Sequence, residues 1–186
     1  MSRAGVDERI SFAALDLLRS RGPSAVSVES VAAHSGVAKT TIYRRFENRD
    51  ELLAAAVVSA TRPIDLPEGL SAEDTVRWAL RHARDMIENV VGRGALAAVM
   101  ADGDPVFRDV LLGMIRASIG PLRHDLRAEV ADGELRADLD IELVLSVLMG
   151  AVIAEMIRGR PTDDEWVESV LGLLWPGLSG PGRRAR

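Results

Sequence analysis

Apolar residues recur every three or four positions through most of the chain, and this spacing predicts amphipathic α-helices. The alternation of apolar and polar residues that predicts a β-strand does not extend over a useful length. Glycine and proline divide the helical pattern into segments, and several segments begin just after a polar residue suited to a helix N-cap. We therefore predict an all-α protein.

The first third of the chain predicts four helices. The first covers about residues 7–20 and ends at Gly22-Pro23, and the second begins after Ser27. The third spans about residues 38–45, and Asn48 is predicted to cap the fourth. Short helices joined by tight turns are typical of a small helix-turn-helix domain. We predict a three-helix helix-turn-helix domain in this part of the chain.

The remaining apolar segments predict a second bundle of helices. Ser71 precedes one helix, and Asp104-Pro105 opens another. We expect Gly120-Pro121 to kink or divide that second helix, because proline cannot continue the hydrogen-bond ladder. A further helix over about residues 140–157 is apolar on nearly every side, which predicts burial of the whole helix surface.

The end of the chain and the loop near residue 62 set the predicted domain limits. A capping box from Thr162 starts the last helix, and Pro176-Gly177 is expected to end it. Proline and glycine in the stretches Thr61-Arg62-Pro63 and Pro67-Glu68-Gly69 indicate a hinge between the two domains. We predict a helix-turn-helix domain over 1–62, a second helical domain over 63–178 and a disordered basic tail over 179–186.

The composition excludes several chemical functions. None of the 186 residues is cysteine, which excludes disulfide bonds, thiolate metal sites and cysteine nucleophiles. The three histidines lie far apart without the spacing of metal ligands, so we expect neither a metal nor a cofactor. The longest apolar run covers residues 143–154, whereas a membrane span needs about 20 residues. With no apolar signal core at the N-terminus, we expect a cytoplasmic protein outside the membrane.

The net charge of −5 is divided unevenly along the chain. Residues 1–62 carry nine basic and seven acidic side chains, a net charge of +2. Residues 63–186 carry fourteen basic and twenty-one acidic side chains, a net charge of −7. A slightly basic first part and an acidic second part suit a small DNA-binding domain joined to a domain that does not touch DNA.

The segment from residue 27 to 53 carries the clearest functional pattern. Ser35-Gly36 joins two short helices, and glycine adopts the left-handed backbone that such a turn needs. Ile42 and Phe46 anchor the second of these helices, while its other side carries hydroxyls and cations that fit a major groove about 12 Å wide. Amides at neighbouring helix starts add phosphate contacts. The predicted DNA-binding residues are Ser27, Lys39, Thr40, Thr41, Tyr43, Arg44, Arg45 and Arg49.

The same segment resembles a known family. Residues 36–46, which read GVAKTTIYRRF, and residues 49–52, which read RDEL, resemble the signature of the TetR family of transcriptional regulators. The resemblance implies that Tyr43 and Thr40 contact DNA. The family usually has lysine where this chain has Arg49, a change that keeps a phosphate clamp. The family often has glycine in place of Thr40, so the preference for particular bases does not transfer.

The resemblance also implies a homodimer in which the last two long helices of each subunit form a four-helix bundle. The apolar helix over 140–157 agrees, because one subunit alone would leave a face of it exposed. The alternative is that both faces are buried within the monomer. Two-fold symmetry would place two DNA-binding helices about 34–36 Å apart on a palindromic operator. The predicted dimerisation residues are Val144, Leu148, Val152, Trp166, Val170 and Leu174.

The family further implies a small-molecule pocket among the helices of the second domain. The sequence offers large apolar and aromatic side chains there but no dense cluster of charge, so we expect an apolar or aromatic effector. Ordinary core packing is the alternative for each of these side chains. The candidate ligand-binding residues are Trp78, His82, Met86, Met100, Phe107, Met114 and Met149.

We therefore predict a homodimeric TetR-like regulator, a repressor that binds a palindromic double-stranded operator and is released by a small-molecule effector. An enzyme is the first alternative, disfavoured because the sequence shows no Ser/His/Asp set, glycine-rich phosphate loop or metal spacing. The second is a helical dimeric protein-interaction module with an idle helix-turn-helix. DNA binding weakens steeply as salt rises, whereas apolar protein contact does not, so salt dependence separates the two.

Overall fold

The computed structural model describes residues 3–60, 66–101 and 103–181. Over these residues the chain forms nine α-helices and no extended β-strand, which confirms the all-α prediction. The first stretch of the predicted hinge, Thr61-Arg62-Pro63, lies outside the described residues, as do residues 182–186 of the predicted tail, whereas Pro67-Glu68-Gly69 is described and lies outside any helix. The helices are α1 (Arg3–Arg21), α2 (Val28–Ser35), α3 (Lys39–Tyr43), α4 (Arg49–Ala60), α5 (Ala72–Met86), α6 (Gly92–Met100), α7 (Pro105–Asp132), α8 (Ile141–Arg158) and α9 (Asp164–Leu178).

The chain groups into two compact units, each made of two segments. Unit 1 comprises Met1–Arg62 and Glu88–Ser118, and unit 2 comprises Pro63–Ile87 and Ile119–Arg186. Unit 1 therefore combines the helix-turn-helix with α6 and the first half of α7, both of which lie within the predicted second domain, residues 63–178.

Helix α1 is the centre of unit 1 and packs against α2, α4 and α6. Its contact with α6 is unusually close. A Cβ atom on Gly92 would lie 2.8 Å from the backbone of Arg19, and a Cβ atom on Gly94 would overlap the backbone of Gly22. Ala95, in the next turn of α6, is fully buried. The first turn of α6 thus rests on the end of α1 with no side chain between their backbones.

Unit 2 is built on α5, which packs against α8 and α9. The apolar side of α5 includes Val76 and Leu80, both fully buried, and α8 contributes Leu148 and Val152 to the core of the unit. An ion pair between Arg77 Nε and Glu168 Oε1, 2.8 Å apart, joins the exposed sides of α5 and α9. The core of unit 2 therefore comes from residues that the helical spacing of apolar positions predicts.

Two helices continue through prolines at which the sequence predicts an interruption. Gly120-Pro121 does not divide α7, which continues to Asp132. Proline removes the hydrogen bond to the carbonyl of Ala117, but both Pro121 and Ala117 are exposed, so water can satisfy that carbonyl. Pro176-Gly177 likewise does not end α9, which reaches Leu178.

The start and the end of α9 also differ from the prediction. Asp163 is the N-cap rather than Thr162, because its carboxylate accepts a hydrogen bond from the Trp166 amide at 2.9 Å. Thr162 is buried. Beyond α9, Gly180 donates its amide to the carbonyl of Glu134 at 2.8 Å, so this part of the predicted tail is held by hydrogen bonding.

Candidate functional site

The turn between α2 and α3 has the geometry that the sequence predicts. Ser27 caps α2, since its Oγ accepts a hydrogen bond from the Ser30 amide at 3.0 Å. Gly36 follows α2 with a φ of 67°, the left-handed region that favours glycine, and its amide donates to the carbonyl of Ala32 at 3.0 Å. These local bonds fix the direction in which α3 leaves the turn.

Helix α3 presents a polar outer side. Ile42 is completely buried and anchors the helix, whereas Lys39, Thr40, Tyr43 and Arg44 are exposed. Tyr43 is 55% exposed, a large fraction for an aromatic side chain. A cation, hydroxyls and a guanidinium on one open side are the groups that contact phosphates and base edges in a major groove.

Arg45 and Thr41 are less accessible than Lys39, Thr40, Tyr43 and Arg44. Both are half-buried, and the Arg45 guanidinium forms an ion pair with Asp7 from α1. The same guanidinium donates to the carbonyl of Thr41 at 3.3 Å. Arg45 therefore connects α3 to α1 in this structure, and its predicted DNA contact stays a prediction.

Arg49 at the start of α4 is also held by the protein. Its Nε donates to the carbonyl of Val26 at 3.0 Å, and its Nη2 donates to the carbonyl of Pro23 at 2.6 Å. Nη2 also lies 3.1 Å from Oδ2 of Asp104. The guanidinium thus joins α4 to the segment between α1 and α2 and to the residue that precedes α7.

Sequence reasoning missed the carboxylates that accompany these cations. Asp7 pairs with Arg45 and Asp104 with Arg49, and Glu29 Oε1 lies 3.5 Å from Lys39 Nζ. A hydrogen bond from its own backbone, together with Lys39 and the Tyr43 hydroxyl, lowers the pKa of Glu29. The partners are 10, 38 and 55 residues apart along the chain. No local sequence pattern signals such pairs, because they depend on the packing of the helices.

Two family models match this chain and identify the kind of protein that carries this geometry. Residues 10–56 match the family model described as bacterial regulatory proteins, tetR family. Residues 66–174, more than half of the chain, match the model described as tetracyclin repressor-like, C-terminal domain. The chain belongs to the TetR family. It is therefore a transcriptional regulator with a DNA-binding helix-turn-helix, as the resemblance in residues 36–52 predicts.

Relatives of this TetR-family chain match it over nearly its whole length. It is 29% identical over 184 residues to the uncharacterized HTH-type transcriptional regulator YdeS of Bacillus subtilis, covering 94% of this chain and 90% of YdeS. It is 25% identical over 175 residues to the DNA-binding transcriptional repressor TetR of Mycobacteroides abscessus, covering 92% of each. The fold matches the transcriptional regulator FadR from Bacillus subtilis in complex with stearoyl-CoA, with a TM-score of 0.68, 20% identity and coverage of 90% and 96%.

The predicted dimerisation residues of this TetR-family chain fall into two groups. Val144, Leu148 and Val152 of α8 are buried within the chain itself, and Trp166, Val170 and Leu174 of α9 are half-buried. Other apolar side chains on the same two helices remain open to solvent. These exposed side chains are Leu143 (62%), Val147 (43%), Ile157 (68%) and Leu173 (80%).

The predicted ligand-binding residues are divided between the two units. Met100, Phe107 and Met114 belong to unit 1, where Met100 is 71% exposed while the other two are buried. Trp78, His82, Met86 and Met149 belong to unit 2. Two clefts that the described residues form, of about 460 Å³ beside Phe12 and about 250 Å³ beside Leu139, include none of the seven.

Trp78 and His82 lie one helical turn apart on α5 and form the one aromatic pair seen among the described residues. Their rings are stacked, with centroids 4.9 Å apart. Burial lowers the pKa of His82, and the nearby Asp85 carboxylate opposes this shift. Its Nε2 is buried and has no hydrogen-bond partner within the described part of the chain.

In the same part of the chain, no three acidic or histidine side chains are grouped as a metal site, and no helix is long and apolar enough to cross a membrane.

Proposed function

We propose that this chain is a homodimeric repressor that reads a palindromic operator in double-stranded DNA with α3 and leaves it when a small molecule binds. The observation that carries the proposal is the outer side of α3, where Lys39, Thr40, Tyr43 and Arg44 are exposed while Ile42 is fully buried. Contact with DNA stays a prediction for the other four residues, Ser27, Thr41, Arg45 and Arg49. In this proposal DNA contact lies within residues 1–62, and sensing and dimerisation lie within 63–178.

The exposed apolar side chains of α8 and α9 support the dimer. Leu143, Val147 and Ile157 follow a spacing of three to four residues or its multiples, so they share one face of α8, and Gly150 on that face is exposed. Leu173 on α9 is 80% exposed. A second copy would remove this apolar surface from water, and the glycine would let two helices approach closely. We place the dimer contact on these exposed residues, flanked by Trp166, Val170 and Leu174.

The effector is proposed to be small and largely apolar or aromatic. Trp78 and His82 on α5 provide a flat stacked surface and a buried imidazole nitrogen that has no partner among the described residues. A neutral imidazole can donate or accept one hydrogen bond, so an apolar molecule with a single polar group fits best. FadR, whose fold is similar, was crystallised with stearoyl-CoA, a ligand with a long apolar chain. We propose repression rather than activation because the relative from Mycobacteroides abscessus is a transcriptional repressor.

Selection of bound sequences from random double-stranded DNA by the purified full chain tests the proposal. We expect one palindrome whose half-sites lie about one helical turn apart, because two-fold symmetry repeats the α3 surface. Affinity for that palindrome should fall steeply with salt, since lysine and arginine displace counterions from phosphates. Recovery of no enriched sequence, together with salt-independent capture of a protein partner, would favour the interaction module instead.

A further inference from the structure

The guanidinium of Arg49 has few free hydrogen-bond donors. Arginine carries five N–H groups, and four of them are used here. They donate to the carbonyls of Val26 and Pro23 and to the carboxylates of Asp104 and Asp50, at distances between 2.6 and 3.2 Å. The side chain is 35% exposed. With respect to the described residues, one Nη1 hydrogen is left for a further acceptor, so a DNA phosphate can form a paired contact only by displacing a partner.

The two carboxylate oxygens of Asp104 accept hydrogen bonds from different groups. Oδ1 accepts a hydrogen bond from the amide of Phe107 at 2.9 Å and thereby caps α7. Oδ2 accepts from Arg49 Nη2 at 3.1 Å. The side chain of Asp104 is only 19% exposed, which favours a specific contact over an open surface pair.

A carboxylate oxygen and a phosphate oxygen are equivalent acceptors for a guanidinium. Both are anionic, and both form strong charge-assisted hydrogen bonds with arginine. At Arg49 one positive charge is flanked by the negative charges of Asp50 and Asp104, so this small group has a net charge of −1. A phosphate that approaches Arg49 therefore meets a competing acceptor and an electrostatic repulsion.

We propose that Asp104 competes with the DNA phosphate for Arg49 and so holds operator affinity below what the DNA-binding surface could reach. The inference rests on the proposed function, because it requires that the chain binds DNA. Loss of the Asp104 contact frees one further N–H group of the Arg49 guanidinium in each subunit for a phosphate and removes one competing negative charge. Asp104 is thus a residue that sets affinity from the start of α7, without touching DNA itself.

The test compares Asp104→Asn with the unaltered full chain. Asparagine caps a helix about as well as aspartate, so α7 keeps its cap while the charge is lost. We expect about tenfold tighter binding of the selected palindrome at about 0.1 M salt. The slope of log affinity against log salt should steepen by about 0.9 for each Arg49 released, or about 1.8 for a dimer. Fluorescence anisotropy over a salt series gives both quantities, and thermal melting checks that the variant folds.

Two further variants separate this mechanism from a general effect of charge. Asp109→Asn makes the same charge change nearby on α7, where Asp109 lies beside Arg108 rather than Arg49, and it should steepen the slope little. In an Arg49→Gln background, Asp104→Asn should lose its effect on the slope. Equal slopes for Asp104→Asn and Asp109→Asn, or weaker binding by Asp104→Asn, would overturn the inference while the proposed function stands. If the unaltered chain selects no DNA, both fail.

Discussion

The side chain of Tyr43 offers the most direct test at the residue scale. It is 55% exposed, whereas its neighbour Ile42 is fully buried. Tyr43→Ala therefore removes a hydroxyl and a ring from the DNA-binding side without opening the core. A hydrogen bond to a charged group contributes about 1.5–3 kcal/mol, and a dimer loses two of them, so we expect operator affinity to fall by about a hundredfold or more in a mobility-shift assay. The unfolding temperature should stay nearly unchanged.

Two control variants belong with that experiment. Tyr43→Phe keeps the ring and removes only the hydroxyl, so a loss as large as that of Tyr43→Ala assigns the effect to the hydrogen bond. Phe12→Ala removes a different exposed aromatic ring, 70% exposed on α1, and should leave operator affinity unchanged. Undiminished binding by Tyr43→Ala would remove this residue from the interface.

Glu129 near the end of α7 predicts a dependence of stability on pH. Burial raises its pKa, and the carboxylates of Glu134, Asp132 and Asp125 raise it further. The Glu129 carboxyl therefore keeps its proton to a higher pH in the folded state than in the unfolded state, where its pKa has the ordinary value of 4.5. The free energy of unfolding falls as pH rises from that value through the raised one. Glu129→Gln has no carboxylate to ionise at this position and therefore does not lose this stability as pH rises.

We therefore expect Glu129→Gln to be more stable than the unaltered chain at pH 7 and equally stable near pH 4. Urea unfolding at both pH values, followed by circular dichroism, measures the difference. A variant that is destabilised at pH 7 would show that the carboxylate contributes a stabilising contact greater than the repulsion around it.

The sequence identifies which residues of α3 are polar, but not which of them are free. Their types and helical spacing were enough to place Ile42 inside and Tyr43 outside. The partners of Arg45 and Arg49 come from α1 and from the start of α7, and their distance along the chain hides them. Availability for DNA depends on tertiary packing, which no local pattern records.

At the scale of helices, an N-cap is predictable where only one suitable polar residue directly precedes the helix. Ser71 accepts a hydrogen bond from the Asp74 amide, and Asn48 accepts one from the Glu51 amide, both as expected. The start of α9 was misassigned because Thr162 and Asp163 are both good caps, and only packing, which buries Thr162, decides between them. The continuity of α7 through its proline depends on solvent exposure, which sequence does not give.

The contact between α1 and α6 predicts a large effect from one added methyl group. In Gly94→Ala the new Cβ atom would overlap the backbone of Gly22, and neither backbone can move without displacing its helix. We expect a loss of about 1–3 kcal/mol in the free energy of unfolding, measured by urea denaturation.

Gly113→Ala is the matched control for that substitution. Its Cβ atom would meet nothing within 4 Å, and position 113 lies inside α7. Alanine is a better helix former than glycine, so this variant should gain about 0.5–1 kcal/mol. Equal effects of the two substitutions would contradict the close backbone contact described for α6.

For the whole molecule, the exposed apolar surface of α8 and α9 predicts the state of assembly. Leu173→Glu places a charge in the proposed dimer contact, where burial of an unpaired carboxylate is costly. We expect a monomer in light scattering at concentrations where the unaltered chain is a dimer, and a loss of affinity for the palindrome. Val58→Glu, at an apolar position of α4 that is 67% exposed, should change neither property. A dimeric Leu173→Glu variant would contradict the proposed contact.

Because the backbones of Gly22 and Gly94 lie in close contact, a hybrid regulator made by exchanging everything after residue 62 would need an α6 that also has glycine at positions 92 and 94. Such an exchange would place α1 against a foreign α6, and any side chain at the positions of Gly92 and Gly94 would overlap the backbone at the end of α1. A graft that keeps residues 88–118 with the helix-turn-helix transfers this junction intact, because those residues belong to the same compact unit. New sensors are therefore best inserted between positions 62 and 88 and after position 118.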